Sequence, residues 1–226
     1  MPTSALTEVA LANMSLTMLG QQPIAALTES NNRATMANQR FADVRDSVLR
    51  AHPWNCAIKR HALTKRAADT NLLGAPKWGY TTTYSLPSDF LRLVDIEDPT
   101  QKYSIEAGNQ EDTHSSANDL VLLTDASEMN IRYVYKLTSV SKMDDTLKHA
   151  IATRLAAELA LAITGDSGKE QFLMQKYQTL LMQAQWEDSV QHNTTETIHG
   201  GLWLESRYDN SVYREYPNLN SDGSLA

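Results

Sequence analysis

A single cysteine, Cys56, stands in a chain of 226 residues. One thiol forms no internal disulfide, so the fold must rest on its apolar core, and a zinc site built on several cysteines is excluded. Glycine and proline are also scarce, with nine and seven residues, about 7% of the chain against about 12% in average usage. That shortage argues against an all-β protein crowded with tight turns, and it predicts that helix dominates. Positive charge is in deficit: 20 basic residues face 27 acidic ones, for a net charge of −7. Such a balance works against a sequence-independent grip on nucleic-acid phosphates.

Long apolar runs are missing as well. The one long uncharged stretch, Val9 to Thr28, is interrupted by Asn13, Ser15, Thr17, Gly20, Gln21, Gln22 and Pro23. A bilayer-spanning helix needs about 20 predominantly apolar residues, so no membrane partner is expected. The pattern of a secretory leader is not met either, because the first charge is Glu8 and no Lys or Arg precedes Arg33.

What the chain does contain is periodic. Leu6, Val9, Ala10, Ala12, Leu16 and Leu19 predict a short helix over residues 4 to 19, stopped by Gly20 with Pro23 beyond. Ala34, Ala37, Phe41, Val44 and Val48 recur at steps of three, four, three and four, and predict an amphipathic helix from near Thr28 to just before Pro53. Between about residues 54 and 140 the residues turn β-branched and aromatic. Strands are predicted at Tyr80 to Leu86, Phe90 to Ile96 and Leu120 to Leu123, and at Ile131 to Leu137, where Ile131, Tyr133, Tyr135 and Leu137 share one face. Helix returns after Ser141, with Leu147, Ile151, Leu155, Leu159 and Ile163 every fourth residue. Gly165-Asp166-Ser167-Gly168 separates it from a second helix, about Lys169 to Asp188, whose stripe is Leu173, Tyr177, Leu180, Leu181 and Ala184. The two should fold back as an αα-hairpin joined by those four residues.

Signals of catalysis are weak. Gly165-Asp166-Ser167-Gly168 matches a string found around protease serine nucleophiles, but here it joins two helical patterns, so a polar turn explains it. The histidines, at 52, 61, 114, 149, 192 and 199, show no HExxH or His-x-x-x-His spacing for a metal. Asp144 and Asp145 are adjacent, so they cannot face one another as paired acids, and they sit where a helix N-terminus favours negative charge. No P-loop or G-x-G-x-x-G string occurs. Catalytic residues, cofactor and metal are therefore all expected to be none.

Charge and aromatics are unevenly placed. Arg33 to Arg66 holds eight basic residues against Asp43 and Asp46, whereas Pro87 to Asn130 holds ten acidic residues against Arg92 and Lys102. Opposite segments of this kind either pair between neighbouring copies of a ring or form two solvated faces. Arg33, Arg40, Arg45 and Arg50 step by seven, five and five, which does not hold one helical face for DNA. From Gln191 the helical period is lost, yet Trp203, Tyr208, Tyr213 and Tyr216 fall there. Such a segment either orders against a partner or packs back on its own domain. As a candidate docking arm its residues of interest are Trp203, Leu204, Arg207, Tyr208, Tyr213, Arg214 and Tyr216.

Four stretches, in order, carry a family resemblance. They are Asn13-Met14-Ser15-Leu16-Thr17-Met18-Leu19-Gly20; Ser47 to Leu63, containing His52-Pro53-Trp54-Asn55; Trp78-Gly79-Tyr80 through Leu86-Pro87-Ser88-Asp89-Phe90-Leu91-Arg92; and Leu155-Ala156-Ala157-Glu158-Leu159-Ala160. Together they resemble the tail tubular protein A family of short-tailed phages, the adaptor or gatekeeper ring between head and tail. The resemblance covers about residues 4 to 190; Cys56 departs from it, since an aromatic residue is usual there, and the segment after 190 matches nothing. It implies a mainly α, α+β fold: a helical bundle of N-terminal helices (1–66) and a C-terminal hairpin (141–190) with an inserted antiparallel β-rich region (67–140); the rest, by its own composition, reads as an extended arm (191–226). The resemblance further implies a dodecameric homo-oligomeric ring in the virion neck, bound to the portal protein and the tail tube or nozzle protein. Genomic DNA would pass through its lumen without sequence-specific binding, and no catalysis is implied. The alternatives are a related neck, stopper or head-completion protein, a tail-associated lytic enzyme, and a DNA-binding packaging factor.

Overall fold

Local signals start and stop each helix where side chains can satisfy the free backbone groups. The computed structural model describes residues 7–66, 78–107 and 120–191. Helix α1 (Glu8–Met18) begins at Thr7, whose hydroxyl accepts from the Ala10 amide at 3.4 Å. It ends at Gly20, whose φ of +72° lets the Gln21 amide reach back to the Leu16 carbonyl at 2.9 Å. Helix α2 (Asn32–Ala51) is capped by Asn31, which accepts from the Ala34 amide at 2.7 Å. All five residues of its expected stripe are buried.

Near the other end of the chain lie α3 (Asp145–Thr164) and α4 (Ser167–Gln191). They form the expected hairpin, but only Gly165 and Asp166 separate them. Gly165 adopts a φ of +69°, and the Asp166 carboxylate accepts from the Gly168 amide at 2.9 Å, so Ser167 and Gly168 already belong to the next helix. Helices α1, α2 and α4 each pack on α3, whose Ala150, Ala156, Ala157 and Ala160 are buried and let its neighbours approach closely.

Seven strands lie between the helical segments among the described residues: β1 (Ile58–Ala62), β2 (Thr64–Lys65), β3 (Thr82–Ser85), β4 (Phe90–Ile96), β5 (Tyr103–Ala107), β6 (Leu120–Thr124) and β7 (Asn130–Tyr135). They form two antiparallel sheets, ordered β1-β7-β4 and β2-β3-β6-β5. Leu63 alone separates β1 from β2, and its amide donates to the Met129 carbonyl at 2.8 Å, between β6 and β7. The chain thus crosses twice from one sheet to the other at the same corner.

Alternation along β7 sorts its side chains between two cores. Ile131 and Tyr133 join Leu63, Tyr84, Ile96, Leu122 and Met129 in one, while Val134 enters the helical core with Trp54, Leu147, Ile151 and Leu155. Leu137 departs from expectation: the strand ends at Tyr135, and Leu137 turns into the helical core. The imperfect alternation of β4 comes from two register shifts against β7, between Phe90 and Arg92 and between Leu93 and Asp95.

The fold is mixed α+β with antiparallel sheets, and about half of the described residues are helical. β1 and β2 draw residues 58–65 into the β region, from the span assigned to the N-terminal helices. The described residues belong to one compact unit within residues 1–191, and residues 192–226 lie outside the described residues.

Candidate functional site

Two of the four motif stretches meet where helix gives way to sheet. His52 cannot continue α2 ahead of Pro53, so the last carbonyls of the helix need partners from elsewhere. The buried Trp54 indole N–H donates to the Val48 carbonyl at 3.0 Å. From β4, the Arg92 guanidinium donates to the Arg50 carbonyl at 3.0 Å, and Arg50 in turn donates to the Leu91 carbonyl at 2.9 Å. The His52 ring stands edge-on to Trp54 with centroids 5.2 Å apart.

Asp89 of Leu-Pro-Ser-Asp is the second knot. One carboxylate oxygen accepts from Lys59 of β1 at 2.6 Å, the other accepts from the Tyr133 hydroxyl of β7 at 2.9 Å, and its carbonyl accepts from the Lys136 amide at 2.7 Å. Lys59 also lies over the Tyr135 ring, 3.9 Å from its centroid. Burial pushes the Asp89 carboxyl up, but the hydrogen bonds from Lys59 and Tyr133 and the Lys59 charge outweigh it and hold the group below the ordinary carboxylate value. Tyr133 is raised, first by burial and then by its bond to Asp89. A lysine, a carboxylate and a phenol together resemble acid–base machinery, yet Asp89 is occupied by both of the others and Lys59 by Asp89 and the Tyr135 ring, so the cluster ties β1 and β7 to the start of β4.

The other two stretches are equally architectural. The Asn13 side chain donates to the Ile24 carbonyl at 2.9 Å and accepts from the Ile24 amide at 2.8 Å, clamping the loop after Gly20 onto α1. In Leu155 to Ala160 all but Glu158 are buried, and Glu158 pairs with Arg154 at 3.2 Å.

Part of the basic segment serves the fold. Arg45, 4% exposed, pairs with Asp46 at 2.9 Å and Glu8 at 3.4 Å, and Lys136 reaches Asp46 at 2.8 Å. Lys59–Asp89 joins the basic and acidic segments within one chain. Ser167 opens α4, and the neighbouring Asp166 carboxylate accepts from the Gly168 and Lys169 amides. Asp144 stands at the N-cap position of α3 without a side-chain cap bond, and Asp145 in the first turn accepts from Lys148 at 2.8 Å. Among the described residues no three His, Cys, Asp or Glu gather as metal ligands.

An open groove of about 470 Å³ lies on the β1-β7-β4 sheet, lined in part by Arg60, His61, Asp95, Glu97, Asn130 and Arg132. Its polar groups are largely turned on one another: Arg132 meets Asp95 at 3.5 Å, and Asn130 donates to Glu97 at 2.6 Å.

The candidate arm residues Trp203, Leu204, Arg207, Tyr208, Tyr213, Arg214 and Tyr216 lie outside the described residues. A surface that the periodicity argument passed over is the outer face of α4, where Phe172, Met182, Trp186 and Val190 are exposed. Its signal was present as a second apolar stripe, masked by the stronger one through Leu173, Tyr177 and Ala184. None of the described helices is long and apolar enough to cross a membrane. Compared with known proteins, the sequence matches no protein-family model and no curated protein.

Proposed function

We propose that this chain is a structural virion protein, a head-to-tail connector subunit of short-tailed phages. Its copies form a ring between the portal protein and the tail tube or nozzle protein, and genomic DNA passes through the lumen without sequence-specific binding. In this reading α1 to α4 make the helical bundle, the two sheets make the inserted region, and residues 191–226 make the arm that docks on the portal.

One observation carries the proposal: the four stretches that resemble the adaptor family all hold elements together. Asn13 and Gly20 shape the end of α1, Trp54 and Arg92 close α2 onto β4, Asp89 ties three strands, and Leu155 to Ala160 form the middle of α3. Motifs of a catalyst would leave reactive groups facing a cleft; these are spent on architecture. The acidic balance suits a conduit, since phosphates are repelled rather than trapped.

Co-sedimentation of the purified chain with the portal ring of the same phage, followed by electron microscopy, tests the reading. A dodecameric collar on the portal is the expected result; a chain left in the supernatant with no collar overturns it. Removing residues 191–226 is expected to leave a helical protein that no longer binds portal rings, and undiminished binding would take the arm out of the docking step. A related neck or stopper protein would show a different particle symmetry.

A further inference from the structure

Helix α4 has two apolar stripes, and among the described residues only one is covered. Leu173, Tyr177 and Ala184 are buried, on a helix that packs on α3. Phe172, Met182, Trp186 and Val190 are 65%, 62%, 68% and 68% exposed. At about 100° per residue these four fall within an arc of about 80°, centred about 160° from the buried stripe. The helix is therefore apolar on opposite sides, which a helix at the outside of a single fold has no need to be.

The spacing and chemistry of the outer stripe narrow what covers it. Phe172, Gln175, Thr179, Met182 and Trp186 step by three, four, three and four, the spacing of a seam that receives another helix. Gln175 and Thr179 put polar groups inside the seam, a device that selects one register. Between Phe172 and Val190 the charged residues are Lys176, Glu187 and Asp188, none of them at the seam positions. An anionic lipid surface would call for lysines and arginines beside the apolar residues, and a nucleic acid for a basic face; neither is present. Aromatic and methionine side chains with charge excluded make the composition of a protein interface core.

We propose that this seam is where one copy of the chain packs against the next. A net charge of −7 makes copies repel over most of their surfaces, whereas this face lets identical molecules meet with almost no like-charge cost. The seam is about 27 Å long and offers roughly 500 Å² of apolar side chain, a large part of the about 800 Å² per partner in a standard interface. The inference deepens the ring reading and rests on it for assigning the contact to a closed assembly.

The test is sedimentation velocity of the full chain from about 1 to about 100 μM. Wild type is expected to self-associate, and the pair Met182→Lys with Trp186→Lys to weaken association at least about tenfold with helical circular dichroism unchanged. Thr179→Lys, which removes no apolar side chain, is expected to act in the same direction. Trp78→Lys, at a position 87% exposed and outside α4, should leave association as it was. A wild type that stays monomeric throughout, or seam variants that associate like wild type, overturns the proposal. So does a seam variant that self-associates normally but loses portal binding, which would give the face to the portal. A seam variant that still builds the portal collar sinks the seam and leaves the ring reading standing. Self-association through the seam with no collar does the reverse.

Discussion

Replacing Trp54 tests the junction between helix α2 and the sheets. The side chain is 2% exposed, its ring packs edge-on against His52, and its N–H satisfies the Val48 carbonyl in the last turn of α2. Trp54→Ala removes the largest side chain at this joint and leaves that carbonyl without its donor. Truncating a buried tryptophan costs about 3–5 kcal/mol, and the hydrogen bond accounts for about 1 kcal/mol of it. Against a total stability of about 5–15 kcal/mol, that is a large fraction. Trp54→Phe keeps most of the ring volume and loses only the donor, so its cost should be about 1–2 kcal/mol. Urea unfolding followed by far-ultraviolet circular dichroism measures both, and an unchanged m value shows that the two-state comparison holds. A loss below about 1 kcal/mol for Trp54→Ala, or equal losses for the two variants, would refute the idea that the indole closes α2.

Asp89 supplies a prediction in pH. Its folded value is lowered, so its contribution to stability is present above the unfolded carboxylate value near about 4 and is lost as pH falls through the lower folded value. Stabilities of wild type and Asp89→Asn should therefore differ at pH 7 and converge in acid; a constant difference would show that the charge is not what Lys59 and Tyr133 recognise. Arg45→Ala should cost about 1–3 kcal/mol, because a buried guanidinium and its packing are lost while Asp46 keeps Lys136. Glu8→Gln should change denaturant stability by less than about 0.5 kcal/mol, since that carboxylate is 43% exposed. Gly165→Ala has open space around the added methyl, so its cost, about 1–2 kcal/mol by thermal unfolding, should come from the positive φ alone.

The sequence by itself determined the body and the ends of the helices, and the reason is local. Ala34 to Val48 and Leu147 to Leu159 repeat at helical spacing, and Gly20 and Gly165 end helices through their own backbone freedom, whereas α2 starts at the Asn31 cap and not near Thr28. Phe90 to Ile96 and Ile131 to Tyr135 were legible as strands from local alternation, although each packs on two cores, and the imperfect alternation of β4 coincides with its two register shifts against β7. Tertiary structure decided the rest. β1, Ile-Lys-Arg-His-Ala, has no apolar alternation because it is an edge strand exposed beyond Ile58, so only pairing with β7 makes it a strand. Ser167 and Gly168 read as turn in the sequence, but the Asp166 side chain caps α4 and draws both into the helix. Asp89 with Lys59 and Tyr133, and Trp54 with Val48, are contacts between positions whose charge or size was visible but whose partners were not. The unpartnered side of α4 belongs to the same class: periodicity shows that a stripe is apolar, and only packing shows which of two stripes α3 covers.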